Sequence, residues 1–189
     1  MLDKDKIIKN TKKYFETAEP FMTESLTAFL GQDFMAAPAS TNKDLNNAFE
    51  GGLVDHLLRT TKFAISINAA LPEKLRLPKE DIIKVCFLYQ IGKAHLYTPC
   101  TSEWHIKNQG KMYEFRNEEV SMRVGERSVF YALSHGVTLN DVETQAIMNH
   151  DKDDSDKQSK FHTSSLGMLL RQANEWAIIE EKMLTDESN

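Results

Sequence analysis

Apolar residues recur at helical spacing along most of the chain, and this periodicity predicts a mainly α-helical fold. Lys4 to Phe15 carries apolar positions on one face. Met22 to Leu30 predicts a second helix, with Pro20 before it and Gly31 after it. Leu53 to Leu71 predicts a longer one, stopped by Pro72. Lys79 to Gln90 follows Pro78 and opens with Lys-Glu-Asp. Its second half, Val85 to Leu88, is apolar on every face, as a central buried helix should be. Ser128 to Leu133 belongs to another helix. Asn140 and Glu143 have capping-box spacing for a helix through Asn149, and a last helix runs from about Ser164 to Met183.

Three segments depart from this pattern. Met35 to Asn47 is rich in turn formers, and Asp151 to Lys160 is a charged stretch expected to be solvated; both read as loops. Glu103 to Lys107 and Lys111 to Phe115 flank Asn108-Gln109-Gly110 and alternate or carry aromatics, which predicts a small β-hairpin.

Composition narrows the partners. The net charge is −5 with acidic and basic residues interspersed, so charge alone gives no strong nucleic-acid signal. The chain has 189 residues, enough for a core that needs no disulfide or structural metal. Cys86 lies in an apolar run, and Cys100 has no closely spaced companion. A reducing compartment is therefore expected. No segment reaches the length of a membrane span, and Met1 to Phe15 lacks the apolar stretch of a signal peptide. A cytoplasmic protein with no membrane association is the expectation.

Candidate chemistry is scattered. Gly51-Gly52-Leu53-Val54-Asp55-His56 places a histidine in the first turns of a helix, as a metal ligand or as a surface or capping residue. Gln90-Ile91-Gly92-Lys93 ends the apolar helix. There Lys93 could reach a phosphate, or sit on the helix dipole with Gly92 at the cap. A buried Gln90 would need a partner. His150 ends a helix and Asp151 follows it, a pair suited either to metal ligation or to a plain helix end. His95, His105, His135 and His162 show no ligand spacing. Trp104, Tyr113 and Phe115 could stack on a ligand or pack on the body. Standard metal, phosphate-loop and nucleophile motifs are absent.

The order of these motifs resembles the HD-domain superfamily of metal-dependent phosphohydrolases, over roughly Asp33 to Glu180. The likeness is closer still to HD-domain proteins of phages and some bacteria. They carry segments like Phe34-Met35-Ala36-Ala37-Pro38-Ala39-Ser40-Thr41, Phe49-Glu50-Gly51-Gly52-Leu53 and Gly125-Glu126-Arg127-Ser128-Val129. The resemblance implies a single-domain HD-like helical bundle at 33–189, with an N-terminal helical extension, 1–32, packed on it. It also implies a divalent ion held by a histidine, a His-Asp pair and a distant aspartate. The ion would polarise a phosphoryl oxygen and activate water.

This chain departs from that set. His56 matches the first histidine and His150 a later one. Tyr89-Gln90 replaces the His-Asp pair, Val124 replaces a histidine, and Asn174 replaces the final aspartate. Gln90 and Asn174 could hydrogen-bond each other or His56 across the old site. No metal or other cofactor is expected there. The implied function is a catalytically inactive HD-like protein that binds a protein partner, or a nucleotide-like or phosphorylated ligand, without hydrolysis. Lys93, Arg123 and Arg127 are the candidate phosphate contacts. Two alternatives stay open. One is a phosphohydrolase acting on nucleotides or other phosphoesters through a rearranged site, with Mn, Fe, Ni or Mg on His56, His150 and Asp151, and Asp55 or Glu126 as further donors. The other is a structural or assembly role.

Overall fold

The computed structural model describes residues 3–116, 121–151 and 163–186. Eight α-helices and one two-stranded antiparallel ribbon lie among them. The helices are α1 (Lys4–Ala18), α2 (Glu24–Ala36), α3 (Gly52–Ala70), α4 (Lys79–Leu88), α5 (Glu103–Gln109), α6 (Val124–Ser134), α7 (Asp141–Met148) and α8 (Ser165–Asp186). The strands are β1 (Tyr97–Pro99) and β2 (Tyr113–Phe115), with Tyr97 opposite Phe115 and Pro99 opposite Tyr113.

The core forms where apolar faces meet. Helix α3 packs along α8 and α4, and α7 closes the bundle against α6 and α8. Val85, Cys86, Phe87 and Leu88 of α4 are buried, as the unbroken apolar run predicts. Helix α1 lies on α3 and α4. Its Tyr14 is fully buried, stacks on Phe87 and donates to the Phe87 carbonyl at 2.7 Å. The hydroxyl keeps a partner in the core, so burying the ring leaves no unmet donor. Among the described residues no helix is long and apolar enough to cross a membrane.

Helix ends follow local chemistry. The Asn140 side chain accepts from the Glu143 N–H at 2.8 Å, and Glu143 accepts from the Asn140 N–H at 2.9 Å, completing the capping box. Gly31 does not end α2. It breaks the helix with φ near +50°, and the chain resumes helical turns to Ala36, so the predicted loop begins after Ala36. Most of the second predicted loop, 152–160, lies outside the described residues, as does His162.

The hairpin is real, but its first strand is not where the sequence placed it. Glu103–Gln109 is helix α5. Ser102 caps its first turn, and Gly110 ends it with φ +64°. These two signals outweigh the local alternation. The true partner of Tyr113–Phe115 is Tyr97–Pro99, upstream of α5.

Candidate functional site

Three helices bring the site together. Gly51, a left-handed residue at φ +78°, stands at the N-terminal cap of α3, and His56 lies one turn inside the helix. Tyr89 sits at the C-terminal end of α4 and Asn174 midway along α8. His56 and Tyr89 are completely buried, and Asn174 is 9% exposed. His56 Nε2 lies 2.7 Å from the Tyr89 hydroxyl and 3.0 Å from Asn174 Oδ1. Tyr89 donates to Asn174 Oδ1 at 2.9 Å, and Thr60 Oγ1 stands 3.1 Å from the same hydroxyl. Burial pushes the Tyr89 phenol well above its ordinary value, so it stays a neutral hydroxyl.

The other ring nitrogen meets a residue the motif comparison missed. Glu181 is buried on α8, and its two oxygens lie 2.9 and 3.1 Å from His56 Nδ1. A carboxylate can only accept, so Nδ1 carries a proton. A faint signal existed: Ala173, Ala177 and Glu181 recur every four residues, a spacing that puts them on one helix face.

Behind this pair stands an ionic layer. Arg59 contacts Asp55 at 3.1 Å, Glu181 at 3.5 Å and Glu180. Asp55 also accepts from Asn10 at 3.0 Å and from Asn47 at 3.1 Å. The carboxylate thereby ties α1 and the loop before α3 to the first turn of α3.

His150 joins the cluster through packing. It is 4% exposed, meets the Tyr89 ring edge-on at 4.8 Å, and its Nδ1 donates to the Ile147 carbonyl at 2.8 Å. Burial holds its imidazole below the ordinary value. Asp151 is exposed, and among the described residues no three His, Cys, Asp or Glu side chains gather as metal ligands.

Gln90 does not reach Asn174 or His56. Its Oε1 accepts from Lys93 Nζ at 2.9 Å, and Nζ also donates to the Ala39 carbonyl at 2.5 Å. Loss of water pulls the Lys93 ammonium down to about 8. Gly92 packs on α6. A Cβ there would come within 2.6 Å of the Val124 carbonyl oxygen, and its N–H donates to Ser128 Oγ at 2.9 Å. The backbone of Val124, at the start of α6, thus lies against Gly92. Arg123 is exposed at that same end, whereas Arg127 is buried, with Nη1 3.5 Å from the Tyr131 hydroxyl.

No family of known proteins, no curated protein and no solved structure matches this chain.

Proposed function

We propose that this chain is a non-catalytic relative of the HD-domain phosphohydrolases, retaining the bundle to bind a partner or a phosphorylated ligand without hydrolysing it. The observation that carries this reading is the Tyr89 hydroxyl 2.7 Å from His56 Nε2. A metal-bound imidazole needs a lone pair aimed at an ion about 2.0–2.1 Å away. Here Nδ1 donates to Glu181, and Nε2 faces a hydroxyl and an amide oxygen. The donors around the ring are a neutral phenol, an amide and one carboxylate, the last on the far side from Tyr89. That set does not suit a mixed imidazole and carboxylate cage.

The rearranged-site alternative needs His56, His150 and Asp151 on one ion. It draws no support from this geometry, because His56 is bonded at both nitrogens and Asp151 faces solvent. The test is metal analysis of the purified chain with an assay on nucleotides and simple phosphoesters. The expected result is no stoichiometric Mn, Fe or Ni and no turnover. Phosphohydrolase activity abolished by EDTA would sink the proposal.

A further inference from the structure

Helix α8 keeps one side in the bundle and offers another to solvent. Ala173, Asn174, Ala177 and Glu181 are buried where the helix packs on α3, α4 and α7. Away from them stand Trp176, 54% exposed, Ile179, 45%, and Met183, 60%. Their spacing of three and then four residues sets them in one stripe over two turns. Large apolar side chains gathered on a helix surface, rather than scattered singly, mark a contact surface.

The charges beside the stripe indicate what covers it. Glu175 and Lys182 are both exposed. Viewed down the helix at about 100° per residue, Trp176 and Met183 fall to one side of Ile179 by about 60° and about 40°. Glu175 and Lys182 fall to the other side by about 40° and about 60°. Along the axis, Trp176 and Glu175 lie three and four residues before Ile179, and Lys182 and Met183 lie three and four after it. The pattern is therefore its own complement about a twofold axis at Ile179, perpendicular to the helix. Antiparallel pairing reverses the helix direction and keeps the two sides apart. Trp176 then meets the partner's Met183, and Glu175 meets the partner's Lys182. Parallel pairing would exchange the sides, laying Trp176 on the partner's Glu175 and Met183 on the partner's Lys182, so that charges were buried against apolar groups.

We propose that this chain forms a twofold dimer through antiparallel α8 helices. Ile179 sits at the axis, with two Trp176–Met183 contacts on one side and two Glu175–Lys182 ion pairs on the other. The stripe is short, so the dimer is weak, with a Kd on the order of 10 µM. The assignment stands apart from the reading of the His56 site, whose α8 residues are the buried Asn174 and Glu181.

Sedimentation velocity on the full chain, from about 1 µM to about 500 µM, is the test. Monomer should give way to dimer across that range. Ile179→Glu puts two like carboxylates at the axis and should weaken the dimer by about tenfold or more. Glu175→Lys and Lys182→Glu each set like charges together and should each weaken it about fivefold. The combined swap restores opposite charges and should return the affinity to within about twofold of the parent. All three positions are exposed, and circular dichroism checks that each variant folds. A chain that stays monomeric throughout, as it would if a different protein covers the stripe, overturns the proposal. So does a dimer that survives Ile179→Glu, or one in which the combined swap associates no better than the single reversals.

Discussion

At the scale of single residues, the site turns on what surrounds one imidazole. Glu181 is fully buried against His56 Nδ1, and Arg59 stands behind it. Removing that carboxylate leaves a buried N–H and part of a guanidinium without their acceptor. Glu181→Ala is expected to lose about 3 kcal/mol of stability in urea unfolding, and Glu181→Gln noticeably less, because the amide oxygen still accepts. His150 gives the pH dependence. Its folded value lies below the ordinary 6.5, so the unfolded chain takes up the proton first as pH falls. The stability it supplies is present above the unfolded value and is lost as pH drops through the folded one. Melting curves between about pH 7.5 and about pH 5 should show this loss, and His150→Asn should flatten that part of the profile. His56, Tyr89 and Asn174 were legible in the sequence as positions along a motif order, and they do converge. Glu181 was not, because its only signal is a four-residue recurrence on a helix whose other faces also carry glutamates.

At the scale of elements, the helices were legible because their periodicity and stop signals agree. The capping box of α7 and the buried run of α4 stand where the residues placed them. The first hairpin strand was misread because alternation over five residues is weak against a serine cap and a left-handed glycine in tandem. Gln90 was misjudged for a different reason. Its partner Lys93 is three residues away, and a local bond between neighbours forms more readily than one across the bundle. The contact between the turn Ile91–Lys93 and α6 is tight enough to test. Gly92→Ala puts a methyl against the Val124 carbonyl and should cost about 2 kcal/mol by thermal unfolding, without altering the helical signal.

At the scale of the whole molecule, the bundle is held at its centre by hydrogen bonds from side chains of α3, α4 and α8. On the proposed loss of a metal site, an ion would need the local chemistry changed at several points together. Tyr89→His, Gln90→Asp and Asn174→Asp combined should let added Mn raise the melting temperature, whereas the parent chain should show no shift. A parent chain that responds equally would contradict the proposed loss of the metal site. That His56, Tyr89 and Asn174 meet was suggested by their order along the chain, but the bonds that join them and the buried Glu181 behind them were not.

The same junction constrains how the chain comes together. Asn174 lies 118 residues from His56, and Glu181 lies 125 away. The two ends of this network therefore meet only after α8 has left the ribosome, however early α3 and α4 form. Until then His56, Arg59 and Tyr89 lack the partners that α8 supplies, Asn174, Glu180 and Glu181, and the groove that α8 will cover stands open on a nascent chain. Such long-range closure slows the last step of folding and lengthens exposure of that groove. The interval between synthesis of α4 and docking of α8 is thus when the apolar face of that groove is most open to association with other chains.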